Sequence, residues 1–370
     1  YKDYGYVHYR VRNYMDLELE TFEDTWVSRM VRLQEDTKFH SKVHEYLAPY
    51  VGKDLQIPCL VGHTGYIFQE KEDKKKHFER NFSLLKKMEE EEPDVLRWKV
   101  QIIQEYRFNA DWEGLEEYCE KAIDYLSKGE HRVNLFDFLQ LHVGYAMALV
   151  NNNKFEEVEP VYIKCKSLMK NTLLANAYLE SLVAEAFYNL KDYEKMREYA
   201  SKYVKGYKTY HKNPAAYEKE RIKLILGETF TEKKYCAVNS LLLASELELE
   251  NRDSIYTIYP ELMWTNDNAR VYYDIDNKIV SALLEMGDDD MLRRVLKDAL
   301  SSYNIKYRML RLIQSWKEKD EKTYIKLLSM MVETVEVEGW MRPYAKLLTL
   351  TGEEAQEEIV GYASEYMQHR

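Results

Sequence analysis

The stretch FNADWEGLEEYCEKA, residues 108–122, decides the fold of most of this chain. A short polar turn leads to Trp112, and Cys119 and Ala122 follow two to three helical turns later. Small and apolar residues at this spacing share one face of a helix. The stretch therefore predicts the turn and second helix of a helix–turn–helix unit.

The same arrangement recurs along the chain after Pro93. Each further unit has a polar turn, an aromatic or apolar anchor, and a small or apolar residue later in the second helix. The turns and their paired residues are NNNKF (Phe155, Tyr162), NLKDY (Tyr193, Ala200), TEKKY (Tyr235, Leu242), MGDDDM (Met291, Ala299), EKDEKTY (Tyr324, Met331) and TGEEA (Ala355, Tyr362). Successive anchors are 43, 38, 42, 56, 33 and 31 residues apart, and the longest step contains an insertion at 251–267. The fold class predicted is mainly α, a tetratricopeptide-like helical-repeat solenoid over residues 94–370.

Composition narrows the class of protein. The 370 residues carry a net charge of −11 and a pI near 5.5, which disfavours nucleic acid or an anionic membrane as the main partner. The negative net charge does not exclude binding of an anionic nucleotide in a local basic pocket. The four cysteines are far apart, as expected for free thiols in a reducing compartment, and no apolar run is long enough to span a bilayer. We therefore expect a cytoplasmic protein without a transmembrane segment.

The N-terminal part has a different pattern. Residues 4–15 and 26–33 alternate with a period of two, and the segments 39–47 and 56–68 complete a β-rich region. A charged linking helix over 70–93 follows, ending before Pro93. Because so few strands do not make an independent domain, residues 1–69 are predicted to be a small β-rich remnant of a larger α/β domain. Exposed strand edges there would favour dimerisation or a partner segment.

Polar residues crowd into the segment Trp26–Tyr50, WVSRMVRLQEDTKFHSKVHEYLAPY. It contains an R-x-x-R-L strand, formed by Arg29, Arg32 and Leu33, and later the pair His44–Glu45. The run VGHTGYIF follows, with His63 and Tyr66. Each of these features also has a structural alternative. The pair His44–Glu45 can be an exposed loop pair, the arginines can form salt bridges to Glu35 or Asp36, and His63 can be a structural histidine.

These motifs, in this order before helical repeats, resemble the end of the catalytic domain of bacterial family 2 glycosyltransferases of the GT-A type. The resemblance covers residues 1–125 and implies inverting transfer of a sugar from a nucleotide-sugar donor to an acceptor, assisted by a divalent metal, Mn²⁺ or Mg²⁺. It implies catalytic roles for His44 and Glu45, with His44 a possible metal ligand. It also implies that Arg29, Arg32, His63 and Tyr66 bind substrate or diphosphate.

One part of the family pattern is missing. The donor-binding half with its Asp-x-Asp metal motif does not precede Tyr1, so the chain resembles a C-terminal portion that would be poorly active alone. Asp-x-Asp occurs only at Asp274–Asp276 and Asp288–Asp290, which are interpreted as surface acids. The rival hypothesis is a non-enzymatic repeat module of a bacterial regulator or scaffold that binds a protein or peptide in its groove. Phosphate-loop, dinucleotide-binding, zinc-protease and serine-hydrolase motifs do not occur.

Overall fold

A computed structural model describes most of the chain. It covers residues 3–14, 19, 22–40, 45–65, 67, 71–128, 135–166, 172–217, 220, 229–262, 275–300 and 303–333. The chain divides into two compact units, Tyr1–Asn152 and Asn153–Arg370. The predicted boundaries near residues 69 and 93 stay predictions. The described part is mainly helical with a small β region at its N-terminal end, as predicted.

Five strands form the part of the β region that the structure describes. They are β1 (Tyr4–Tyr14), β2 (Phe22–Val31), β3 (Lys38–His40), β4 (Tyr46–Ala48) and β5 (Lys53–His63). The first, second and fifth make one sheet in the order β2-β1-β5, with β1 antiparallel to β2 and parallel to β5. The short strands β3 and β4 pair with each other as a hairpin. The central strand is thus the one that alternates most clearly in the sequence.

Strand β2 begins earlier than the alternating run 26–33 predicts. Strand β2 already begins at Phe22, so Asp24 lies within it, opposite Arg12 on β1. The Arg12 guanidinium donates from Nε and Nη2 to the two carboxylate oxygens of Asp24, at 2.8 and 3.0 Å. This cross-strand pair compensates for an acidic residue in a strand.

Almost none of the described side chains of the sheet is buried. Among the strand residues whose side chains are described, only Gly5 is buried. A Cβ atom at Gly5 would collide with the carbonyl oxygen of Val51, so glycine permits this close approach of two backbones. Several large apolar residues remain exposed, among them Leu33 (69%), Phe39 (71%) and Val51 (67%).

Four helices among the described residues complete the first unit and supply its core. They are α1 (Lys71–Glu91), α2 (Leu96–Phe108), α3 (Trp112–Lys128) and α4 (Leu135–Asn151). Helix α2 contacts the other three, and α3 contacts α4. The predicted charged helix is confirmed, and it buries Leu85 and Met88 on one face against Ile102 and Leu115.

The second unit is built from nine described helices. They are α5 (Val158–Lys166), α6 (Leu173–Leu190), α7 (Tyr193–Lys212), α8 (Glu232–Glu248), α9 (Ser254–Ile258), α10 (Ile275–Met286), α11 (Asp289–Leu300), α12 (Tyr303–Lys319) and α13 (Glu321–Glu333). Short 3₁₀ segments occur at Phe155–Glu157, Pro214–Tyr217 and Tyr259–Leu262. Helix–helix contacts link neighbours in the chain, such as α6 with α7, or next neighbours, such as α11 with α13.

Most predicted turns coincide with observed helix ends. Helices end at Phe108, Asn151, Leu190, Met286 and Lys319. Of the residues predicted to follow each anchor, Cys119, Tyr162, Ala200, Leu242, Ala299 and Met331 are buried. Part of the predicted insertion at 251–267 is helical, in α9 and the 3₁₀ segment after it, whereas Ala355 and Tyr362 lie outside the described residues.

Three anchors do not open their helices as predicted. Tyr235, Met291 and Tyr324 lie two to three residues inside helices that begin at Glu232, Asp289 and Glu321. The reason is capping. Thr231 accepts a hydrogen bond from the backbone N–H of Lys234, and Asp288 accepts one from Met291.

Candidate functional site

The structure describes four of the six residues predicted to form the site. Arg29 lies in β2, where only its backbone is described, and Arg32 is exposed just after that strand. Glu45 is exposed immediately before β4, and His63 ends β5. The other two, His44 and Tyr66, lie outside the described residues, so their predicted roles stay predictions.

The sheet holds Arg32 and His63 at opposite ends. The backbone N–H of Arg32 donates to the carbonyl oxygen of Gly5 at 2.8 Å. His63 Nδ1 lies 2.9 Å from Asn13 Oδ1. Gly5 and Asn13 are eight residues apart on β1, or about 26 Å at the rise of an extended strand. One small ligand therefore cannot contact both Arg32 and His63.

The β3–β4 hairpin starts at the Arg32 end of the sheet. Thr37 Oγ1 accepts a hydrogen bond from the backbone N–H of Gln34 and donates to the carbonyl oxygen of Pro49, both at 2.8 Å. These bonds tie the base of the hairpin to the chain that leaves β2. Arg29, Arg32 and the hairpin therefore belong to one end of the sheet, and His63 to the other.

A polar group centred on His8 lies on the same sheet. Ser28 Oγ is hydrogen-bonded to His8 Nδ1, and His8 Nε2 lies 3.4 Å from Asp54 Oδ2. The alternation of β1 places Tyr6, His8 and Arg10 on one side, and Tyr6 stacks on Tyr50 with ring centroids 4.3 Å apart. Partial burial and the nearby Asp54 carboxylate raise the pKa of Tyr50.

This group spans three strands, which explains why the sequence does not reveal it. Ser28 faces His8 because β2 pairs antiparallel with β1, and Asp54 reaches His8 because β5 pairs parallel with it. Alternation shows which residues share a side of one strand, but the register between strands depends on tertiary structure. The trio orients the imidazole of His8 between the strands.

A groove in the second unit lies between α5, α6 and α7, with a volume of about 780 Å³. That volume is typical of ligand-binding sites. Its lining consists of Tyr162, Ile163, Lys166, Leu173, Asn176, Glu180, Lys202, Lys205, Gly206 and Thr209. Three ammonium groups thus face a groove that contains a single carboxyl group.

Glu180 is the electrostatic centre of this groove. Tyr162 donates its hydroxyl hydrogen to Glu180 Oε1 at 3.1 Å. Burial raises the pKa of Glu180 to about 7, although this hydrogen bond and the charges of Lys202 and Lys166 act in the opposite direction. The pKa of Tyr162 is also raised, by burial and by Glu180. Glu180 is therefore poised to change its protonation state near neutral pH.

Local packing fixes the three helices that carry the groove. Helix α6 ends at Leu190, and its C-cap residue Lys191 adopts a left-handed backbone conformation with φ of 58°. Asp192 then caps α7 by accepting from the backbone N–H of Lys195 at 3.1 Å. At the other end of α6, the buried Glu220 carboxylate accepts from the N–H groups of Leu173 and Leu174, at 2.9 and 2.7 Å. These caps satisfy backbone groups at both ends of α6 and at the start of α7.

The described residues do not provide a metal centre. No group of three or more His, Cys, Asp or Glu side chains among them could hold a metal ion. Of the Asp-x-Asp residues interpreted as surface acids, Asp276 is buried, with 2% exposure, in the first turn of α10. A carboxylate is favoured there by the helix dipole. Asp288 caps α11 and accepts a hydrogen bond from the Tyr256 hydroxyl, so it is engaged in structure.

No described helix is both long and apolar enough to cross a membrane. No family model matches the chain, and no curated protein is significantly similar to it.

Proposed function

We propose that this chain contributes the acceptor side of a sugar-transfer site, with helical repeats that bind the acceptor or a partner. The observation that supports the proposal is the grouping at one end of the sheet. The R-x-x-R-L residues, at the end of β2 and just after it, lie next to the base of the hairpin whose second strand follows Glu45. The resemblance to family 2 glycosyltransferases assigns chemistry to the same segment.

Each residue of this group has a role that suits its chemistry. Transfer to an acceptor hydroxyl needs a base for the departing proton, and the exposed Glu45 carboxylate can take it or orient the acceptor. The guanidinium groups of Arg29 and Arg32 can pair with the diphosphate of a nucleotide-sugar. His63 is assigned to a separate position, because the sheet keeps it about 26 Å from the Arg32 end.

The test is donor hydrolysis and sugar transfer with Mn²⁺ present, measured on the protein as it occurs in the cell. We expect Glu45→Gln to lower turnover by about 100-fold or more, the usual effect of removing a general base. The variant His44→Ala examines the neighbouring residue in the same assay. Glu35→Gln is the matched control, since Glu35 is an exposed acid of the same segment to which the proposal assigns no catalytic role. Unchanged turnover in both Glu45→Gln and His44→Ala would refute the site.

A second candidate function is partner binding by the helices without catalysis. The groove between α5, α6 and α7 favours it, because three lysines line a cavity of ligand-binding size. A protein of this kind would show no donor hydrolysis with any nucleotide-sugar, yet would still bind a ligand in the groove.

A further inference from the structure

The lysines of the α5–α7 groove differ in whether they form an ion pair with another described residue. Lys202 forms an ion pair with Glu198 at 2.6 Å and lies 4.1 Å from the centre of the Tyr199 ring. Lys166 and Lys205 are exposed and form no ion pair with any other described residue. Two cationic groups in one groove are therefore available to a ligand, on a chain whose net charge is −11.

The lining indicates what kind of anion would fit. Ile163, Leu173 and the Tyr162 ring give the groove apolar walls, and the volume of about 780 Å³ exceeds what a single inorganic ion fills. No arginine is among the lining residues, whereas recognition of phosphate commonly uses the guanidinium fork. Separate lysines at the edge of an apolar groove suit carboxylates spaced along an extended chain.

We propose that the groove between α5, α6 and α7 binds an acidic peptide segment, with Lys166 and Lys205 as the cationic partners of its carboxylates. Asn176 and Thr209 line the same groove and can hydrogen-bond to the peptide backbone. The inference rests on the proposed binding role of the helices and does not depend on sugar transfer.

Glu180 makes this binding sensitive to pH. The groups that face it are Tyr162 and Lys166 from α5 and Lys202 from α7. The pKa of Glu180 is about 7. An anionic peptide favours the neutral form of Glu180, because two like charges in one groove repel each other. Affinity should therefore fall as pH rises through 7.

The first test uses a fluorescein-labelled hexaglutamate peptide and fluorescence anisotropy on the full chain. We expect the double variant Lys166→Glu/Lys205→Glu to bind about tenfold or more weakly than the parent. The control is Lys164→Glu/Lys297→Glu, which changes the net charge equally at exposed lysines outside the groove. Circular dichroism verifies that both variants fold. No binding by the parent, or equal loss in both double variants, would overturn the peptide site.

Two further arms identify the ligand class and the role of Glu180. Inorganic phosphate should not displace the peptide at concentrations that leave the ionic strength unchanged, and efficient displacement would indicate a small-anion site instead. Parent affinity should be about tenfold weaker at about pH 8.5 than at about pH 6, whereas Glu180→Gln should bind equally at both. Equal pH dependence in Glu180→Gln would overturn the role of Glu180. Donor hydrolysis by a chain that fails these tests would leave sugar transfer standing, so the two proposals fail separately.

Discussion

The sheet at the N-terminal end and the helices that follow it bury very different amounts of apolar surface. Every helix from α1 to α4 contributes fully buried side chains, such as Leu85, Ile102 and Leu115. The described strand residues contribute Gly5 only, while Met30, Leu33 and Phe39 are more than half exposed. Burial of apolar surface is the main favourable term in folding. The difference therefore indicates that the helices stabilise themselves and that hydrogen bonds and ion pairs hold the sheet together.

Polar interactions inside the helical region show the same contrast. Lys99 is buried, yet its ammonium group lies 2.6 Å from Glu89 Oε1, and the Tyr118 hydroxyl donates to the same oxygen at 2.6 Å. Burial would raise the pKa of Glu89, but these hydrogen bonds and the charge of Lys99 outweigh it and lower the pKa. In the sheet, the Arg12–Asp24 pair lies close to solvent. The helices can therefore hold a charge pair in a packed core, which the sheet does not have.

The largest effect is expected from removing a core side chain. Leu115→Ala should lower the free energy of unfolding by about 3 kcal/mol, because Leu115 is fully buried and its removal leaves a cavity. Leu60→Ala in β5 is the matched control, since Leu60 is 45% exposed, and should cost less than about 1 kcal/mol. Urea denaturation followed by far-UV circular dichroism measures both. Equal losses would remove the distinction between the two regions.

A smaller effect should follow from Glu180→Gln, and it should depend on pH. Because the folded-state pKa of Glu180 is raised to about 7, its contribution to stability is complete below the unfolded-state pKa and is lost as pH rises through 7. Glutamine does not ionise, so the variant should be more stable than the parent by about 2 kcal/mol at about pH 8.5 and similar to it at about pH 5. Thermal unfolding across this range measures the difference. A constant offset between the two proteins would contradict the raised pKa.

The smallest effect should come from the cap of α7. Asp192→Ala removes the acceptor for the Lys195 N–H and should cost about 1 kcal/mol. Asp192→Asn keeps an acceptor at the cap and should cost much less. A loss as large in Asp192→Asn as in Asp192→Ala would show that charge, and not the hydrogen bond, is what α7 needs from residue 192.

The helices could be predicted from the sequence because their signals are local. A polar turn, an aromatic anchor and a buried residue later in the helix are all set by the 3.6-residue period. The errors at Tyr235, Met291 and Tyr324 are local too, since Thr231, Asp288 and Asp320 precede those helices and favour an earlier start. The repeat family and a continuous solenoid stay predictions.

The candidate sites were harder to predict from the sequence, because they depend on the register between strands and on the packing of helices. The separation of Arg32 from His63 follows from parallel pairing of β5 with β1, which no local pattern reveals. The α5–α7 groove combines lysines from residues 166 to 205 of the chain, and Lys202 and Lys205 are ordinary surface residues in any sequence pattern. Only Glu45 and the R-x-x-R-L strand, which lie close together in sequence, could be grouped beforehand.

Hydrogen–deuterium exchange on the full chain tests the difference between the two regions most directly. Backbone amides of α2, α3 and α6 should exchange at rates set by opening of the helical core, and those of β1, β2 and β5 should exchange at least about tenfold faster. The central strand β1 is the decisive element. Both neighbouring strands are hydrogen-bonded to it, so its backbone amides are expected to be the best protected from exchange in the sheet. Fast exchange in β1 would confirm that the sheet lacks a stabilising core. Protection of β1 equal to that of α3 would contradict it.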